Sequence, residues 1–140
     1  TLDRSSAASD VYKRQQLIKL LKKLLKKLQK LNQMIKVLVK QNNNQIVNLS
    51  ITGHADSGEY GKDLVCAGVS TVGIGAMNML AKKGFLAKGL GTIEINEGYI
   101  NVVVNHTDEV CQVVLETLVV TLETMVESYG RFIKISKVEV

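Results

Sequence analysis

The chain has no proline, no tryptophan, only two cysteines and two histidines. It also lacks any uninterrupted apolar run near the roughly 20 residues that a membrane-spanning helix needs, so no segment is expected to cross a bilayer. Two cysteines with no CxxC pair, and no signal-peptide layout, argue against a disulfide scaffold and for a reducing compartment. A cytoplasmic setting is expected. What is present is apolar bulk: 46% of 140 residues are hydrophobic, enough for one substantial core and one globular domain.

The formal net charge of +5 suggests a nucleic-acid partner until it is divided along the chain. Residues 1–33 hold nine Lys/Arg against two Asp/Glu, and residues 34–140 hold nine against eleven. All the excess positive charge therefore belongs to the first quarter, and a basic patch implicates nucleic acid only when it lies on the folded domain. No nucleic-acid partner is expected.

That first quarter divides again. Residues 5–15, "SSAASDVYKRQ", show no period and no apolar face; they resemble translated adapter sequence and are set aside from the fold. Residues 16–33, "QLIKLLKKLLKKLQKLNQ", place Leu17, Leu21, Leu24, Leu28 and Leu31 at alternating steps of four and three, with lysines opposite. This is a basic amphipathic helix, suited to an anionic membrane or a partner helix. The alternative, and the expectation here, is an appendage outside the fold.

From Met34 the pattern becomes regular. "MIKVLVK" alternates as a strand, "QNNNQ" is a turn, and "IVNLSITG" completes a hairpin. A helix is predicted from about Tyr60 to Lys83, then a second hairpin, "GTIEIN" and "YINVVVN" about the turn "NEG". Thr107, Asp108 and Glu109 open a helix that runs to Tyr129 and stops at Gly130, and "RFIKISKVEV" is a last strand. The order ββαββαβ implies an α+β fold: a mixed sheet with two helices on one face.

On the first of these helices Val65, Val69, Val72, Ala76 and Met79 form one stripe, predicted to pack on the sheet. Asp63, Cys66 and Ser70 form another, which predicts that Cys66 is not core filling. Near the helix start, free backbone N–H groups and the helix dipole favour a thiolate, and an imidazolium from His54 would favour it further. Asp63 would orient His54 or cap backbone donors. Against this stands the ordinary alternative of a small buried cysteine and a solvated histidine. Gly68, Gly73 and Gly75 cost helix stability but allow close approach to the sheet or a neighbour, and "GIG" follows no strand and turn, so it is no nucleotide fingerprint.

The stretch "TGHADSGEYGKDLVCAGVS", residues 52–70, closely resembles the signature of the ribosomal-processing cysteine protease Prp family, a GHA histidine followed twelve positions later by a D-hydrophobic-VCA cysteine. "MIKVLVK" resembles the family's usual start, and the element order fits its fold, so the resemblance covers residues 34–140. It implies a bacterial thiol protease that removes the N-terminal extension of a large-subunit ribosomal protein, number twenty-seven, in support of ribosome assembly. It implies His54 and Cys66 as catalytic residues, supported by Gly53, Asp63 and Ser70. It implies a homodimer, an apolar groove beside Cys66 for paired aromatic residues, and no cofactor or metal. Gly58 and Gly61 bracket a segment that is expected to close over a peptide. Two other classes stay open: a non-enzymatic module that binds a ribosomal protein, and a Cys₂His₂ zinc site from His54, Cys66, His106 and Cys111, in which only His106 and Cys111 are spaced as a pair.

Overall fold

The computed structural model describes residues 4–54 and 62–140. The chain divides into two compact units, Thr1–Gln33 and Met34–Val140. The first contains one helix, α1 (Arg4–Gln33). It continues through residues 5–15, where no helical period is legible; Ala, Ser, Lys and Arg there offer no apolar face, yet none forbids the helical backbone. Leu17, Leu21, Leu24 and Leu28 are each about half exposed.

The second unit runs β1 (Ile35–Asn42), β2 (Gln45–Thr52), α2 (Lys62–Lys82), β3 (Gly91–Asn96), β4 (Tyr99–Val104), α3 (Glu109–Tyr129) and β5 (Ile133–Glu139). The strands make one mixed sheet in the order β3-β4-β2-β1-β5, antiparallel except for the β1–β5 pair. This is the predicted ββαββαβ order and an α+β fold.

Local chemistry sets each turn. Between β1 and β2, Asn43 and Asn44 both take positive φ (52° and 63°), the left-handed conformation that a two-residue hairpin turn demands and asparagine tolerates. In β1 the residues Ile35, Val37 and Val39 face inward by simple alternation. In β2 the buried residues are Ile46, Leu49 and Ile51, an odd step followed by an even one. A bulge explains the break: Lys40 pairs with Asn48 and Gln41 with Ile46, so Val47 is the extra residue. Gln112 of α3 fastens that point. Its side chain accepts from the Ile46 N–H (2.8 Å), and donates to the Ile46 carbonyl (2.9 Å) and to Thr107 Oγ1 (2.7 Å). The start of α3 is capped by Asp108, whose carboxylate accepts from the Cys111 N–H at 2.7 Å.

The core lies between the sheet and the two helices. Full burial of each Ile, Leu or Val contributes about 1.5–3 kcal/mol, so side chains such as Ile35, Leu49, Ile51, Val69, Leu80, Ile100 and Leu115 supply the drive for folding. By length and composition α2 does reach the range of a membrane span, with a mean hydropathy of 1.7 over its best window, contrary to expectation. Its Gly, Ser and Thr residues break the apolar run without adding charge. In the fold it is the helix whose Val65, Val69, Met77 and Leu80 are buried in the domain core.

Residues 34–140 contain every strand of the sheet and both of its helices. Deleting residues 1–33 is therefore expected to leave a cooperatively folding domain, with a thermal midpoint within a few degrees of the full chain. A truncated protein without a cooperative transition would place the leucine stripe in the core.

Candidate active site

His54 stands just beyond β2, and the residue before it fixes where. Gly53 takes φ +86°, and a Cβ built on it would lie 2.9 Å from the Met34 carbonyl oxygen. Only glycine fits both the left-handed backbone and that close approach. The Gly53 N–H donates to the Gly98 carbonyl at 3.0 Å, joining the end of β2 to the β3–β4 turn. The chain thus leaves the sheet on a defined path, and His54 is delivered to a buried position at 4% exposure.

Its ring meets α2 at Ser70: His54 Nδ1 and Ser70 Oγ are 2.5 Å apart. Cys66 lies one turn before Ser70 on the same helical stripe, and residues four apart on a helix have Cβ atoms about 5–6 Å from one another. Lys62 lies one further turn back. The succession Lys62, Cys66, Ser70 therefore runs along one line of α2, with His54 set against its third member. Asp63 stands off this line. It is exposed, and its carboxylate accepts from the neighbouring Leu64 N–H at 2.9 Å, so the group that touches His54 is Ser70 and not Asp63.

The expectation that Cys66 lies outside the core is corrected here: it is 5% exposed and belongs to the buried cluster. The buried residues of α2 are Lys62, Val65, Cys66, Val69, Gly73, Met77 and Leu80, whereas Met79 is 43% exposed. At 100° per residue this face is rotated by roughly 60° from the predicted stripe. Gly73 explains the rotation. A Cβ there would lie 2.7 Å from Ile100 Cδ1 and 3.3 Å from Ile51 Cδ1, so the helix lies closest to the sheet along a line that carries no side chain and adds nothing to a hydrophobic pattern. Gly68 faces α3 at Met125 in the same manner, and Gly75 faces open space.

Burial governs the charge states. Removal from water lowers the His54 pKa below its ordinary 6.5, so the ring is neutral at neutral pH. Burial raises the Cys111 thiol; a Thr107 hydrogen bond opposes the rise, and the Asp108 carboxylate adds to it. Cys111 is thus an unreactive core thiol. Because the unfolded chain takes up a proton near pH 6.5 that folded His54 resists, stability must fall as pH falls through and below that value. Thermal midpoints measured against His54→Gln should be level above pH 6.5 and drop for the wild type below it. Parallel curves would show that His54 is solvated.

Among the described residues only His54, Lys62 and Gln112 are buried polar or charged side chains. Gln112 is fully bonded, whereas His54 Nε2 and Lys62 Nζ are buried without a hydrogen-bond partner. One is on the ring that meets Ser70, and the other is on the residue one helical turn before Cys66. Neither Lys62 nor the direct Ser70–His54 contact is legible from the sequence, because lysine is ordinarily read as solvated and the contact joins residues sixteen apart. Gly58 and Gly61, the proposed hinges, lie outside the described residues. His106 is exposed beyond β4 while Cys111 is buried, and no group of three metal-ligating side chains occurs among the described residues.

Residues 34–134 match the family described as cysteine protease Prp. The chain is 31% identical over 105 residues to the ribosomal processing cysteine protease Prp of Staphylococcus aureus, covering 74% of this chain and 98% of that one. It is 32% identical over 103 residues to the protein of that name from Bacillus subtilis, covering 69% and 90%. Among solved structures, SMU.848 from Streptococcus mutans superposes with a TM-score of 0.63 at 27% identity, over 78% of this chain and 97% of that one. The S. aureus Prp complexed with a substrate peptide gives 0.58 at 28% identity, over 74% and 99%.

Proposed function

This chain belongs to the Prp family of ribosomal processing cysteine proteases, and from that premise we propose that Cys66 and His54 form its catalytic dyad and that its substrate is the N-terminal extension of large-subunit ribosomal protein twenty-seven. Membership makes the chain a cysteine protease, and the reading as a non-enzymatic binding module gives way to it. The observation that carries the dyad is the seating of the His54 ring against the Cys66–Ser70 stripe of α2, with Nδ1 engaged by Ser70 and Nε2 left without a partner.

In the proposed mechanism neutral His54 takes the proton from the Cys66 thiol as sulfur attacks the scissile carbonyl. The negative charge passes to the carbonyl oxygen, to be received by backbone N–H donors, for which the positive end of the α2 dipole is the candidate source. His54 then returns the proton to the leaving amine, the C–N bond breaks, and a thioester remains on Cys66. Water, deprotonated by His54, attacks that thioester; the acid product leaves and the thiol is restored. Gly53 and Ser70 act on placement, the one fixing the path of the chain into His54 and the other the orientation of its ring. The S. aureus relative has been solved with a substrate peptide and with a covalently linked product peptide, which supports a peptide substrate here.

The test is direct. The full chain, incubated with a synthetic peptide spanning that extension in the host's own protein, should cut one bond, with the products read by mass spectrometry. A peptide that is bound but intact after hours would set the proposal aside. We also propose a homodimer in the cytoplasm; light scattering at micromolar concentration should give twice the chain mass, and a monomer would count against it.

A further inference from the structure

A neutral His54 leaves a gap in the site. In the expected dyad an imidazolium balances the charge of the thiolate, yet the buried ring of His54 disfavours its charged form. Another cation stands on the same helix. Lys62 is 2% exposed, its Nζ has no hydrogen-bond partner among the described residues, and it precedes Cys66 by one helical turn. A buried ammonium without an acceptor is costly and calls for a nearby anion.

We propose that Lys62 is the counter-cation of the Cys66 thiolate, a positioning residue that holds the negative charge on sulfur while His54 handles the proton. The proposal rests on Cys66 being the nucleophile. When the S–H bond breaks, the proton passes to Nε2 of His54, and the electron pair left on sulfur is stabilised from the opposite side by Nζ of Lys62. On the line Lys62, Cys66, Ser70 the cysteine stands between the two residues: Lys62 one turn before it, and Ser70, against which the imidazole is seated, one turn after it.

Among the described residues, the charged neighbour on α2 and the ion pair between α3 and β5 do not compete for this role. Asp63, on the same helix, is exposed and engaged with the Leu64 N–H. From α3, the side chain at Gly68 is Met125, and Glu123 pairs with Lys137 at 2.7 Å. From the sheet, β1, β2 and β4 bury only apolar side chains, among them Ile35, Val37, Ile51 and Ile100, and from β5 Ile133 is the buried residue. The first turn of α2 adds the positive end of its dipole to the same point.

The test reads alkylation of Cys66 in the full chain, so it is independent of proteolysis. Iodoacetamide, which is neutral, reports the thiolate fraction. Iodoacetate, an anion, reports in addition the positive charge beside the sulfur. An opposite charge within about 4–6 Å shifts a titration by about one to three pKa units, so under the proposal Lys62→Met should slow iodoacetamide labelling at neutral pH by roughly tenfold or more. It should also lower the iodoacetate-to-iodoacetamide rate ratio, which a purely structural lysine would not affect. Lys62→Arg should restore both. Cys111 should stay slow throughout and so report an intact core, and Lys62→Gln replaces Lys62→Met if that variant does not fold. Wild-type rates and an unchanged ratio in the folded Lys62→Met or Lys62→Gln protein overturn the proposal while leaving the dyad standing. Cleavage that persists in Cys66→Ala overturns the dyad and this proposal together.

Discussion

Replacing Cys66 or His54 with alanine should each lower kcat/KM for the extension peptide by roughly a thousandfold or more, and replacing both should lower it no further. A nucleophile and the base that moves its proton act as one unit, so removal of either leaves only binding and oxyanion stabilisation by the backbone. Ser70→Ala should fall between, by about tenfold, because it frees the His54 ring from its contact at Nδ1 but leaves both reacting groups in place. Asp63→Asn should change the rate by less than about threefold, since the carboxylate is exposed and bonded to its neighbour's N–H, an acceptor role that the asparagine oxygen retains. Initial rates by mass spectrometry over a range of peptide concentrations measure all five. A His54→Ala protein with a tenth of wild-type activity, or a double variant a millionfold down, would show two groups acting separately and would remove the dyad.

Much of this site is written locally in the sequence, and the remainder is not, for reasons that differ residue by residue. The hairpin at Asn43 and Asn44, the cap at Asp108 and the order of strands and helices follow from nearest neighbours and period alone. The pairing of a glycine–histidine turn with a helix cysteine twelve residues later is also local, and the family resemblance rests on it. The face that α2 presents to the sheet is not local. It is set by Gly73, which contributes nothing to a hydrophobic pattern and yet permits the closest approach to Ile100 and Ile51. That rotation takes Cys66 into the core and Met79 out of it. The bulge at Val47 likewise depends on pairing with β1. Lys62 is opaque for a third reason: a lysine is ordinarily solvated, and only the three-dimensional fold shows its ammonium enclosed, on the residue one helical turn before a cysteine.

Gly53→Ala carries the second large effect, and its cause lies in backbone geometry rather than chemistry. A side chain at this position must adopt φ near +86° and place its Cβ 2.9 Å from the Met34 carbonyl oxygen, so both the dihedral and the neighbouring strand resist it. Strain of this kind costs about 1–3 kcal/mol. Relief requires the chain to shift just where it delivers His54, and a displacement of about 1 Å at a reacting group can cost a hundredfold in rate. The variant should therefore stay folded, with a thermal midpoint several degrees lower, and lose about a hundredfold in kcat. Gly89→Ala is the control: its φ is also positive, at +67°, but a Cβ there meets nothing within 4 Å. Gly89→Ala should lose stability from the dihedral alone and cleave at the wild-type rate. If the two variants lose activity equally, or if Gly53→Ala loses stability but not activity, then the glycine before His54 serves the fold and does not aim the histidine.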